Sequence, residues 1–383
     1  MPTTAALLME SPVPAPATRR LETLDVGKGV GILLIVLGHN ALFVSEHGNL
    51  NDFIRSFNLP FFFFVSGVTF VLGTRSLKTV AWMRADALLK PCAVVIVLAG
   101  MLRVLSGAGG VEEVLLGLLF GTGFTLLWTP IWFVPHLWLL NVSTAILLRH
   151  GVLYLRTWAR RIGMLLLLAA AGYLVLLQFD STADNPACLR MRNFTAALFD
   201  CGLPFSADLL LLTGVFFLLG HFLANRVRLM RHNWMLLSLV CAATLALHHF
   251  LGYTIDFNQR RYDSLLISTL QALCGIYMML SVCSLLLSCF APVGKVLSYL
   301  GRGSLFILIF HGSLMLKLEA WLPRWIDHAY LAAALAMAIS VALSLMLWEL
   351  SKRSRIGTLL MLPRKLRPQE NSLPRQGGAG TTS

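Results

Sequence analysis

Charge is scarce in this chain, and acidic charge scarcest: 13% of its 383 residues are charged, with 18 Asp and Glu against 31 Lys and Arg. Soluble domains carry about twice that charged fraction, so a water-facing surface over most of the chain is excluded. Several familiar chemical signatures are also missing. There is no C-x-x-C, H-E-x-x-H, G-x-S-x-G or P-loop pattern, which leaves no spacing that marks a zinc site, a serine hydrolase or a phosphate-cradling loop. His248 and His249 are adjacent, so on a helix they point to different faces and cannot form an i, i+4 metal pair. No internal repeat is visible. The net charge of +13 lacks the interleaved basic and aromatic stripe of a nucleic-acid binder, and it reads instead as orientation and membrane-surface attraction.

What the chain does have is apolar length. Hydrophobic residues make up 57% of it, and its mean hydropathy is +0.74. Apolar runs long enough to cross a hydrocarbon core fall at roughly 28–45, 53–73, 87–106, 130–149, 163–179, 205–224, 233–252, 263–289, 296–317 and 329–350. The expected fold is therefore all-α and integral to the membrane, with about ten transmembrane helices spanning residues 21–352. Residues 1–20, with Pro12, Pro14 and Pro16, are expected to be a disordered N-terminus, and 353–383 a basic, disordered tail. No basic n-region precedes the short run Ala5–Leu8, so the first span is expected to act as an uncleaved anchor. The stretch 110–128, interrupted by Gly117, Gly121 and Gly123, reads as interfacial or re-entrant.

Lys and Arg sort by side when the N-terminus is placed in the cytoplasm. The inner segments then hold Lys28, the loop cations Arg75, Lys78, Arg84 and Lys90, the groups Arg149–Arg161 and Arg226–Arg231, and the tail cluster from Lys352. The loop with Glu112 and Glu113 falls outside without a basic residue. Both termini are thus expected in the cytoplasm. Five cysteines (Cys92, Cys241, Cys274, Cys283, Cys289) lie in apolar spans as small hydrophobes. Cys188 and Cys201 share one outer loop, where a disulfide and two free thiols are both open.

Ionisable groups inside the spans carry the functional argument. Lys28 and His39 lie eleven residues apart, which at 100° per residue sets them within about 20° of one helical face, with His39 about 16 Å further along the axis. Asp25, one turn before Lys28, can pair with it. A buried histidine bonded to a neighbouring helix is the plainer alternative for His39. The second span reads NLPFFFFVSG, where Ser66–Gly67 leaves a small polar spot that a helix or ligand can approach. The four cations of the next loop suit a phosphate-rich ligand, although orientation and anionic lipid alone also account for them. His311 lies two turns beyond Ser304 on the same face.

Together these stretches resemble acyltransferase family 3, the bacterial integral-membrane O-acyltransferases. The resemblance rests on Lys28-x10-His39 within LDVGKGVGILLIVLGHN, on LPFFFFVSG, the basic loop and WFVPHLW, and further on LPFSADLLLLTGVFFLLG, LISTLQALCGI and GRGSLFILIFHG. In style the chain is most similar to the exopolysaccharide and xanthan-type sugar O-acetyltransferases. The resemblance implies a bacterial inner-membrane enzyme that takes acetyl from acetyl-CoA and gives it to a sugar hydroxyl, mannose or a similar hexose, on an exopolysaccharide or its lipid-linked unit. It implies His39 and Lys28 as catalytic, and Arg75 and Lys78 as the basic pair that binds the donor. The second of these is Lys where the family has Arg, and it loses bidentate geometry. Ser66, Ser304 and His311 complete the expected substrate-binding set, with Arg84 and Lys90 serving mainly orientation. His136 is given no role. A secondary transporter or flippase of polysaccharide precursors is the rival reading, and a non-catalytic membrane partner of an assembly machine is a third.

Overall fold

The computed structural model describes residues 16–126, 129–151, 154–179, 188, 199–230 and 232–364. Among them, eight helical stretches are long and apolar enough to cross a membrane: Leu77–Leu105, Thr129–Gly151, Trp158–Leu176, Pro204–Leu229, Trp234–Leu251, Leu265–Cys289, Ser304–Arg324 and Ala329–Arg353. The chain is an all-α integral membrane protein. Two further helices, α1 (Pro16–Leu37) and α3 (Gly48–Val68), have spanning length but fall outside that group of eight. Their sequences explain this: α1 carries Asp25 and Lys28, and α3 carries Asn51, Asp52, Arg55 and Asn58. A helix enclosed by others can hold polar groups where a lipid-facing one cannot.

The remaining order is α2 (Ala41–Glu46), α4 (Leu77–Arg84), a π-turn (Ala85–Leu89), α5 (Lys90–Leu105), α6 (Val111–Phe120) and α7 (Phe133–Gly151). Then follow α8 (Trp158–Leu176), a tight turn over Pro204–Leu209, α9 (Leu210–Leu229) and α10 (Trp234–Leu251). A two-stranded antiparallel hairpin, β1 (Ile255–Asp256) and β2 (Arg261–Tyr262), leads to α11 (Leu265–Cys289). The chain ends through α12 (Ala291–Arg302), α13 (Ser304–Trp321), α14 (Ala329–Arg353) and α15 (Arg355–Met361). Side-chain oxygens of Ser76, Thr157, Asn233 and Ser264 cap α4, α8, α10 and α11 by accepting from the first-turn amides.

Several boundaries differ from the sequence expectation. The apolar run 28–45 is not one helix: α1 stops at Leu37, and the chain turns through Gly38–Asn40 into α2. The run 296–317 is likewise split at Gly303 between α12 and α13. Hydropathy is blind to such corners, because the residues on both sides of them are equally apolar. Within the stretch 110–128, Val111–Phe120 form α6, which Gly121 ends in the left-handed conformation (φ 59°); residues 127 and 128 lie outside the described residues. Helix α1 already begins at Pro16, inside the expected disordered stretch, while residues 1–15 lie outside the described residues. The tail expected to be disordered from 353 instead opens with α15, capped by Ser354 and tied by Thr358 Oγ1 to Ser351 O; residues 365–383 lie outside the described residues. Cys188 and Cys201 are joined, their Cα atoms 5.5 Å apart, and are buried against Leu116 and Phe120.

Two glycine crossings set the bundle's geometry. A β-carbon at Gly67 of α3 would lie 1.8 Å from Phe217 O, and one at Gly220 of α9 would lie 2.0 Å from Phe64 O. At the second crossing, a β-carbon at Gly29 of α1 would lie 2.0 Å from Leu297 O, and one at Gly301 of α12 would lie 1.8 Å from Asp25 O. Backbone meets backbone at both places, the arrangement that lets helices associate without a hydrophobic driving force. The small spot expected at Ser66–Gly67 is therefore where α9 approaches. Gly220→Val should lower the thermal midpoint in detergent sharply, since overpacking costs about 1–3 kcal/mol even where neighbours can yield, and here backbone must move. Gly163→Val, with nothing within 4 Å of its β-carbon, should melt as the wild type does.

Candidate functional site

His39 stands in the turn after α1, and Asn40 beside it fixes that turn. Asn40 Oδ1 accepts from Phe43 N (3.0 Å), while its Nδ2 donates to Ala333 O of α14 (3.2 Å). The His39 ring places Nδ1 2.8 Å from Ile35 O. A carbonyl oxygen only accepts, so Nδ1 carries the proton, and neutral His39 keeps its lone pair on Nε2. His311, fully buried in α13, repeats the pattern, with Nδ1 2.7 Å from Ile307 O. Its Nε2 has no hydrogen-bond partner among the described residues. The two rings meet edge to face with centroids 5.3 Å apart. The structure thus joins two histidines that the sequence separates by 272 positions (311 − 39).

His39 is exposed to a cavity of about 480 Å³, which is walled also by Asn51, Arg55, Asn58, Trp132, Phe133, Asp256 and Asn258. Arg55 of α3 donates to Asp256 Oδ2 at 2.8 Å, and Gln259 N donates to Asp256 Oδ1 at 3.1 Å. The hairpin that carries Asp256 is anchored by a completely buried ion pair. Arg260 Nε donates to Asp208 Oδ2 (2.9 Å), with further bonds from its guanidinium to Asn258 O (2.8 Å) and Ser206 Oγ (3.3 Å). His136 supports the same corner: its Nδ1–H donates to Phe205 O (3.0 Å), and its Nε2 lies 2.9 Å from Thr213 Oγ1. Both its nitrogens are engaged away from the cavity, so His136 holds the turn.

A second cavity of about 420 Å³ is lined by Lys28, Ser66, Thr69, Arg84, Asn141, Arg302 and Ser304. Lys28 Nζ pairs with Asp25 at 3.5 Å. Three apolar side chains, Ile35, Phe133 and Leu308, line both this cavity and the one at His39. They form the wall, or septum, that the two cavities share. The single helical face expected for Lys28 and His39 does not run that far, because α1 ends at Leu37; the two residues open into different cavities, and Lys28 is not in direct contact with the imidazole. Ser66 and Ser304 accompany Lys28, and His311 accompanies His39.

Arg75 lines a third cavity, of about 660 Å³, together with Trp82, Arg84, Asp86 and Arg364. Arg84 lines this cavity and the Lys28 cavity alike, a placement that its sequence position among the loop cations did not distinguish. Lys78 is exposed and lines none of the three cavities. Lys90 is bonded to Asp86 at 2.8 Å. Among the described residues, no three His, Cys, Asp or Glu side chains gather as a metal-binding group. The sequence reading missed Arg55 and Asp256, whose pairing spans 201 positions. A lone acidic residue flanked by apolar ones was the only available signal.

The buried pair makes a direct prediction. Arg260→Met leaves Asp208 charged and uncompensated, which should cost about 3–5 kcal/mol, whereas Arg260→Met with Asp208→Leu should recover most of the loss. Chemical or thermal unfolding of the purified variants reads both. A double variant no better than the single one would mean that the hairpin is anchored elsewhere.

Among curated proteins, none matches this chain, and no solved structure matches it either. A family described as an acyltransferase domain matches residues 21–349, a range that runs from α1 through nearly all of α14 and contains His39, His311 and the linings of the first two cavities. The chain belongs to that acyltransferase family.

Proposed function

We propose that this membrane acyltransferase moves acetyl from acetyl-CoA to a hydroxyl of a sugar, mannose or a similar hexose, on an exopolysaccharide or its lipid-linked repeat unit in a bacterial inner membrane. The observation that carries the reading is the pair of cavities meeting at Ile35, Phe133 and Leu308, one basic and the other holding a histidine whose Nδ1 is bonded to Ile35 O, which leaves Nε2 as the basic nitrogen. Cations at Lys28, Arg84 and Arg302 suit the phosphates of the donor. The thioester end reaches past the septum, where Nε2 of His39 takes the proton of the acceptor hydroxyl as its oxygen attacks the thioester carbonyl. The tetrahedral intermediate then collapses, the C–S bond breaks, and the proton on His39 passes to the departing thiolate. Aromatic and amide side chains around His39 (Trp132, Phe133, Asn51, Asn58) suit a polyhydroxylated acceptor.

Orientation belongs to the same proposal: α1 and α3 also cross the bilayer, giving ten spans with both termini cytoplasmic. The basic loop and the C-terminal segment meet at one end of the bundle, where Lys90 Nζ donates to Leu362 O (2.5 Å) and Arg149 donates to Arg75 O (2.7 Å). That is the cation-rich end, which the positive-inside rule favours for the cytoplasm. The disulfide, whose Cys188 lines the His39 cavity, suits the opposite, oxidising side.

The test is acetyl-CoA-dependent acetylation in membranes. His39→Gln keeps a polar side chain of similar reach but cannot act as base, so turnover should fall by about two to four orders of magnitude at normal membrane levels. His311→Gln should cost less, and Lys28→Ala should raise the donor KM. Near-normal acetylation by His39→Gln would remove the base. Wild-type membranes that move a lipid-linked sugar without acetylating it would favour the transporter.

A further inference from the structure

Helix α3 turns a polar stripe toward His39. Asn51, Arg55 and Asn58 are spaced i, i+4, i+7, which puts them on one face of the helix, and all three line the His39 cavity. The same helix buries the apolar side chains of Ile54, Phe57 and Phe61. A cation on so apolar a helix is costly and marks a candidate for function. Arg55 offsets part of that cost through Asp256, the one carboxylate among the described residues that line this cavity, with Nη1 donating to Oδ2 at 2.8 Å.

A guanidinium carries five N–H donors. The bond to Asp256 uses one of them, and no other hydrogen bond engages Arg55 among the described residues. Its side chain keeps 36% of its surface open. Asp256 is itself held, because Gln259 N donates to its Oδ1 at 3.1 Å and its side chain is only 12% exposed. Lys28 offers no substitute here: it lies beyond Ile35, Phe133 and Leu308 and pairs with Asp25. Among the described residues, Arg55 is the only Lys or Arg lining the cavity of His39.

Base catalysis at His39 creates a demand for such a group. As the acceptor oxygen adds to the thioester carbon, the carbonyl π pair moves onto its oxygen. The tetrahedral intermediate carries that negative charge until the carbonyl re-forms and thiolate leaves. Donors already aimed at the oxygen lower this barrier, since nothing has to reorganise during the reaction. We propose that Arg55 is a further catalytic residue, whose free N–H groups bind the acetyl carbonyl oxygen and stabilise its developing charge. Asp256 is then a positioning residue that aims the guanidinium. The inference rests on the acyl-transfer reading at His39, and it assigns the oxyanion to α3 instead of to Lys28 of α1.

Parallel assays of the purified full chain in nanodiscs test it. One follows acetyl transfer from acetyl-CoA to methyl α-mannoside, and the other follows acetyl-CoA cleavage by water or methanol, nucleophiles too small to fill the cavity. Both pass through the same oxyanion. Arg55→Ala should lower kcat by about a hundredfold or more in both, with either KM changed by less than about threefold. Added methylguanidinium should restore part of that turnover. Asp256→Asn should lower kcat about tenfold through misalignment, and the double variant should be no slower than Arg55→Ala alone, because Asp256 acts through Arg55. A raised KM for the mannoside with methanol cleavage intact would make Arg55 an acceptor-binding residue and overturn the proposal. Wild-type kcat in a folded Arg55→Ala protein would do the same. If Arg55→Ala shows no melting transition, Arg55→Lys replaces it: this variant keeps a cation for Asp256 without the guanidinium fork, and undiminished kcat in both assays would be decisive against the assignment. A wild-type protein that transfers acetyl to none of these nucleophiles would instead remove the acyl-transfer reading itself.

Discussion

Everything at the site depends on how closely α1 can approach α12. The backbone contact through Gly29 and Gly301 leaves no room for any side chain between these helices. It brings the face of α1 that carries Lys28 and Ile35 against the corner where α12 turns into α13. That corner supplies Arg302, Ser304, Leu308 and, two turns on, His311. Each cavity takes one wall from α1 and another from this corner. A bundle held apart by ordinary side chains at this crossing would separate the two imidazoles and open the septum. In a bilayer, where hydrophobic burial does not drive helices together, such close packing is also a main source of association.

Over His39 the structure spends stability instead of gaining it. Phe205, Ser206 and Arg260 all have left-handed backbone (φ 57°, 52° and 56°), which costs of order 1 kcal/mol or more per residue. Burying Arg260 with Asp208 adds a desolvation penalty that a close ion pair only partly offsets. These costs are met within one network: the Arg260 guanidinium bonds to Asp208, Ser206 and Asn258, and His136 bonds to Phe205 O. The product is a hairpin that presents Asp256 to Arg55 beside the His39 imidazole.

Much of this was legible in the sequence, for reasons of period and length. Apolar runs gave the helices, but the angular offset of Lys28 and His39 assumed one helix continuous through both, and α1 stops at Leu37. Position along the axis decides more than face does, however, and no single helix reveals that Ile35, Phe133 and Leu308 come from three different helices to part the two residues. His311 could be suspected but not paired with His39. Arg55 and Asp256 stayed hidden because nothing local links α3 to a hairpin two hundred residues away. Corners were missed for the opposite reason: Gly38 and Gly303 interrupt helices without interrupting hydropathy. The cysteines at 188 and 201 left two outcomes open, because loop membership constrains distance only loosely.

The septum has an electrical consequence. Where two cavities approach each other from opposite faces of an energised membrane, the insulating layer between them is thin, and most of the transmembrane voltage falls across it. Moving one elementary charge through 100 mV involves about 2.3 kcal/mol, and Ile35, Phe133 and Leu308 offer a charge no counter-ion. A thioester and the amide arm that carries it are uncharged and cross such a layer without electrical work. Phosphate groups are charged, and such a layer opposes their passage. An apolar wall between two cavities therefore distinguishes the charged from the uncharged parts of any molecule that reaches it.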